Sequence, residues 1–88
     1  MADGDETRKV IDRVTRMEAC FDTLQQAVRR SEEIPAELLQ RLISYYESGK
    51  WLQDYEMDER GLLPKDLKRG ILAQDAIYDF LAQIRYAK

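Results

Sequence analysis

Eighty-eight residues, 44% hydrophobic and 35% charged, suffice for one domain with one modest core, since a chain this short buries roughly 60–65% of its unfolded surface. The net charge of −3 argues against broad binding to nucleic-acid backbones, which needs a clustered positive surface. The lack of histidine removes the commonest general base and metal ligand, and the single cysteine, Cys20, rules out an internal disulfide.

From about Glu6 a long helical pattern begins, behind a small acidic start, residues 1–5, expected to be disordered. Val10, Val14, Met17, Phe21, Leu24 and Val28 follow a 4,3 spacing, a heptad seam held for nearly three repeats. Packing within the monomer or a homodimer would each use that seam. Asp12 and Arg16 are placed for an i,i+4 ion pair on its flank. Ser31-Glu32-Glu33-Ile34-Pro35 ends the pattern, because Pro35 pushes Ile34 out of helical angles and itself suits the first position of a second helix.

The second helix carries Leu38, Leu39, Leu42, Ile43 and Tyr46 on its apolar face and breaks at Ser48-Gly49. Tyr45 then falls at the edge of that face, its hydroxyl reaching water or a carboxylate, and reads as a surface contact. Ser48 is a candidate N-cap for a short third helix with Trp51 in its first turn, and Gly61 is a good residue to end it. Leu62-Leu63-Pro64 is a connection, Pro64 to Arg69 a single helical turn stopped by Gly70. The last helix starts at about Ala73, with Ile77, Phe80, Leu81 and Ile84 inward. No alternating strand pattern appears. The expected fold is all-α: a single domain over residues 1–88, a small bundle of about four helices with a long N-terminal helix, a kinked middle pair and a C-terminal helix.

The stretch W-L-Q-D-Y-E-M-D-E-R-G, Trp51 to Gly61, sets large and aromatic residues among four carboxylates. On a helix Trp51, Asp54, Tyr55 and Asp58 share one face, and an aromatic stripe at that spacing is core far more often than a ligand box, so Trp51 and Tyr55 read first as core. Asp54 and Asp58 repel, and Asp58 and Glu59 lie near the unfavourable end of the helix dipole, so basic residues should offset them. The nearest in sequence are Arg60, Lys65, Lys68 and Arg69. Three readings compete: an ion-pair network folded back from Lys68 or Arg69, a hard cation held by the acids, and a partner-binding patch with Trp and Tyr anchors. The match to a twelve-residue calcium loop is poor: Glu59 stands where glycine is needed and Lys65 where the bidentate Glu should be. Catalysis finds little support. Cys20 has no histidine to activate it and lies beside the seam, which suits a buried inert thiol, and no glycine-rich loop resembles a phosphate cradle.

From Tyr45 to Leu81 the chain resembles a family of small bacterial proteins known as domain of unknown function 4298. The resemblance rests on Tyr45-Tyr46, Ser48 before Trp51, Asp54-Tyr55-Glu56, Leu63-Pro64, Asp66-Leu67-Lys68-Arg69-Gly70, Asp75 and Tyr78. Arg16 to Leu24, R-M-E-A-C-F-D-T-L, resembles the family's N-terminal helix. The family pattern has Ser where this chain has Ala73; that Ser would cap the final helix. The resemblance implies a bacterial, cytoplasmic helical protein and implies no activity.

The expectation is a non-enzymatic protein–protein interaction module with no cofactor and no metal. The alternative is a carboxylate-based divalent-cation or small-ligand site. The candidate surface comprises Tyr45, Trp51, Asp54, Tyr55, Glu56, Asp58, Glu59, Asp66, Lys68, Arg69 and Asp75. An unidentified protein and a second copy of the chain are the expected partners; nucleic acid and membrane are not.

Overall fold

The computed structural model describes residues 2–73 and 75–86, with side chains over 5–73 and 75–84. Four helices, α1 (Ala2–Arg29), α2 (Ala36–Glu47), α3 (Lys50–Glu59) and α4 (Ala76–Tyr86), are joined by loops and one 3-10 turn, Gly70–Leu72. No strand occurs among the described residues, so the all-α expectation holds.

At 1.5 Å per residue the 28 residues of α1 span about 42 Å, which sets the long dimension of the 47 × 22 × 17 Å molecule. The helix starts at Ala2, ahead of the seam and inside the stretch expected to be disordered; Met1 lies outside the described residues. Asp5 and Glu6 suit its positive N-terminal end. The seam is packed inside the monomer: Val10, Val14, Phe21 and Leu24 are buried, with Met17 and Val28 against them. Phe21 meets Phe80 of α4 edge-on, ring centroids 5.3 Å apart.

The helix ends follow from backbone chemistry. Past α1 the Ser31 N–H donates to Val28 O (3.1 Å) and Glu32 N–H to Ala27 O (2.9 Å), a pair of bonds that needs a left-handed residue, and Ser31 supplies it at φ 55°. Gly61, at φ 72°, closes α3 the same way, as expected, with its N–H on Asp58 O and Leu62 N–H on Met57 O. Pro35 lies one position before the helix, as N-cap rather than first helical residue. The N-cap of α3 is Gly49 (φ 89°), not Ser48. Ser48 caps the C-terminus of α2 and its hydroxyl accepts only a long bond from Lys50 N–H, 3.4 Å. The αL bend between the two helices needs glycine, and glycine has no side chain to cap with.

The connection after Pro64 differs from expectation. Leu67 N–H reaches Pro64 O (3.2 Å), but this turn does not extend to Arg69; the helical turn comes later, at Gly70–Leu72. α4 starts at Ala76; Ala73 before it is extended (φ −62°, ψ 139°) and its carbonyl accepts from Ala76 N–H at 3.1 Å, while alanine there has no side chain to cap with. Ile71 and Leu72 are buried, and the turn packs against α1, α3 and α4. Its backbone is held from both sides: Ile71 N–H donates to Glu18 Oε2 of α1 (2.9 Å), and Ile71 O accepts from Trp51 Nε1 of α3 (2.8 Å). A side chain on Gly70 would put its Cβ 2.9 Å from Glu18 Oε1, so this carboxylate reaches Ile71 across a bare glycine.

Candidate functional site

Leu42 and Tyr45 are the buried residues of α2, with Leu38, Leu39 and Tyr46 packed beside them, so the expected face holds at the three leucines and Tyr45 takes the inward place given to Tyr46. Tyr45 is therefore buried, not a surface contact. Tyr46 takes the flank, edge-on to Trp51 at 5.3 Å, and Trp51 stacks on Tyr55 at 5.1 Å with a 17° interplanar angle. Trp51 is buried and its indole N–H is bonded to Ile71 O, so it too is core rather than surface. Tyr55 is half-buried.

Asp54 is the largest departure from the sequence reading. Its side chain is 0% exposed. Oδ2 accepts from Arg13 Nε (2.9 Å) and from the Tyr45 hydroxyl (2.7 Å), and Oδ1 accepts from Arg13 Nη2 (2.5 Å). One carboxylate thus ties α3 to α1 and α2. Lys68 and Arg69 do not reach it. Bidentate contact to a carboxylate is what the planar guanidinium does best. The bond to Asp54, opposed by burial, raises the Arg13 pKa. Burial, reinforced by the bond to Asp54, pushes the Tyr45 phenol far up, so its proton stays on. Among the described residues no buried side-chain N or O lacks a partner. Arg13 lies three residues after Val10 and four before Met17, on the edge of the seam; that placement was the available signal for its inward turn.

The expected fold-back from the loop is present at one residue. Arg69 pairs with half-buried Asp58 and donates to the carbonyls of Pro64 and Leu67, fastening the 64–70 loop to the end of α3. Lys68 is exposed beside Asp66, on a shallow groove between α1 and the loop. The flank pair Asp12–Arg16 is not among the salt bridges of the described residues; Arg16 turns to the groove between α1 and α2. Cys20 is buried at the base of that groove, its thiol donating to Leu38 O at 3.3 Å, and burial raises its pKa.

The cation alternative loses its ligands. Arg13 and Tyr45 occupy both oxygens of Asp54, and Arg69 holds Asp58. Among the described residues no three His, Cys, Asp or Glu side chains converge to hold an ion. What remains at the surface is Glu56, Glu59, Asp66, Lys68 and Asp75, with Tyr55 half-exposed among them. The negative charge of Glu59, with smaller effects of burial, a side-chain bond to Glu59 and the charge of Asp75, raises the Tyr55 pKa.

The molecule is a small all-α domain whose polar interior is a structural clamp. Its sequence matches the family described as domain of unknown function 4298 over residues 9–87, and the chain belongs to that family. No curated protein and no solved structure matches it. No helix among the described residues is long and apolar enough to cross a membrane.

Proposed function

We propose that this protein is a non-enzymatic protein–protein interaction module of the bacterial cytoplasm. The carrying observation is the division of the acidic-aromatic stretch. Its inward members, Trp51 and Asp54, are used up in holding the fold, while Tyr55 is half-exposed with Glu59 as its charged neighbour and Glu56 and Asp75 are exposed. An aromatic anchor with a charged rim is the usual make-up of an energetically important contact. Stacking on Trp51 fixes the Tyr55 ring, so little side-chain freedom is lost when a partner covers it. A lone, buried, unbridged Cys20 supports a reducing compartment.

The test is a cross-linking comparison in cells between the native chain and a Tyr55→Ser/Glu59→Lys variant matched for abundance. A cross-linked partner present with the native chain and lost with the variant supports the patch. The same adducts at equal yield with both chains would remove the patch from the contact.

A further inference from the structure

We propose that the groove between α1 and α2 is a docking site for an acidic protein segment that carries apolar side chains. It is an open groove of about 870 Å³, and it shares no residue with the Tyr55 patch. Arg16 of α1, Arg41 of α2 and Lys50 at the start of α3 line it, all exposed. None of the three takes part in a salt bridge among the described residues, where the bridges are Arg13–Asp54 and Arg69–Asp58. The one acid on the lining is Glu37. A second shallow cavity shares Arg13, Arg16 and Met17 and carries the positive surface on to Lys9, past Asp12. In a chain of net charge −3, three exposed cations with no salt bridge among the described residues make this groove a local reversal of sign.

The floor of the groove is apolar. Met17 packs against the core, and Cys20 and the ring of Tyr45 are buried beneath the cations. Methionine adapts to varied apolar partners. A basic rim over an apolar floor complements a segment that alternates carboxylates with apolar residues. Separate exposed charges attract a single anion only weakly, and an open groove does not enclose a metabolite as a ligand pocket does. A segment engages several cations and the floor together. A long nucleic acid would meet this groove but also the net negative remainder of the molecule, which repels a polyanion.

The experiment titrates the full chain into a fluorescein-labelled synthetic peptide of repeating Glu-Leu-Asp-Glu-Leu, read by fluorescence anisotropy. Saturable binding is expected, weakening as salt is raised from about 50 to 300 mM. Arg16→Glu/Arg41→Glu should raise Kd about tenfold or more. Arg29→Glu/Arg30→Glu, the same charge change on exposed residues at the far end of α1, should leave Kd within about twofold. Replacing the peptide's Leu by Ser should weaken binding through the floor. Thermal unfolding and helix content check that both variants stay folded; if Arg16→Glu/Arg41→Glu does not, Arg16→Gln/Arg41→Gln replaces it, with the same direction of change expected.

No saturable binding, or equal weakening in both charge-reversal variants, would overturn the proposal. So would competition by inorganic phosphate or a single-stranded oligonucleotide at peptide-like concentrations, which would make the ligand a small anion or a nucleic acid. Concentration-dependent self-association of the native chain that Arg16→Glu/Arg41→Glu abolishes would make the occupant a second copy and also contradict it. Glu59→Lys, on the other surface, should leave peptide affinity unchanged, so this outcome and that of the Tyr55 patch are read separately.

Discussion

The Arg13 guanidinium grips both carboxylate oxygens of Asp54, 41 positions further along the chain. The two partners are unequally buried, at 26% and 0% exposure. Removing Arg13 leaves a carboxylate in the core with only the Tyr45 hydroxyl; removing Asp54 leaves a guanidinium that can turn to water and a buried but neutral Tyr45 hydroxyl, which is cheaper to strand than a charge. Arg13→Ala is therefore expected to cost about 3–5 kcal/mol, the range for stranding a buried charge. Asp54→Ala is expected to cost less, by about 1 kcal/mol or more, because exposure lets Arg13 rehydrate. Urea unfolding of the two variants gives the order, and the reverse order would count against the buried clamp.

Tyr45 gives the clamp a pH signature. The folded phenol holds its proton above the usual pKa of 10, first through burial and then through its bond to Asp54. Above about pH 10 the unfolded chain releases a proton that the folded chain retains. The stabilisation is thus complete below that pH and declines as pH rises. Tyr45→Phe should flatten the alkaline decline relative to the native chain. At neutral pH it should cost about 1–3 kcal/mol for the lost bond to a charged acceptor. Unfolding free energies at pH 7, 9 and 11 test both effects, and an unchanged alkaline slope in the variant would contradict the first.

Gly70 and Glu18 should behave as one unit. A Cβ at residue 70 meets the carboxylate that holds Ile71 N–H. Gly70→Ala should cost up to about 1 kcal/mol, because Glu18 Oε1, at the end of a flexible side chain, must shift while Oε2 holds Ile71 N–H. In a Glu18→Ala background the same change should cost much less. Simple additivity of the two would mean that the close approach is unimportant.

Ser31 is a left-handed residue without glycine's freedom. Ser31→Gly relieves a strain of about 1–2 kcal/mol but adds freedom to the unfolded chain. A net gain of about 0.5–1 kcal/mol is expected, a rise in Tm of several degrees for a domain of this size. A lower Tm would show that the serine side chain contributes something that the hydrogen bonds at this turn do not explain.

Divalent cations should leave stability alone. A site filled at a hundred times its Kd adds about 2.7 kcal/mol, readily seen in a chain of 88 residues. Thermal unfolding in EDTA, Ca²⁺ and Mg²⁺ should superimpose. A clear shift with one ion would require the acids to rearrange away from Arg13 and Arg69.

The apolar spacing made the helices legible. Val10 to Val28 marked α1 because period-3.6 burial leaves a direct trace, and Gly61 marked the end of α3 because few other residues adopt its backbone angles. The polar interior left no such trace. Asp54 reads as wet until its partner is known, and that partner lies on another helix. Spacing favours Tyr46 over Tyr45 for the stripe, and what sets Tyr45 inward is a bond to Asp54 on another helix. Ile71-Leu72 was too short a run to show a period, yet its neighbours on three helices make it core. Of the candidate surface, Glu56, Glu59, Asp66, Lys68 and Asp75 lie where charge alone would put them.

The most direct measurement is a double-mutant cycle in urea with Arg13→Gln, Asp54→Asn and the pair, which keeps the volumes close to native. A coupling of about 2 kcal/mol is expected for two groups that share two hydrogen bonds in the interior. Additivity to within about 0.5 kcal/mol would mean that the guanidinium and the carboxylate do not meet. Asp54 would then return to the surface as a group free to bind.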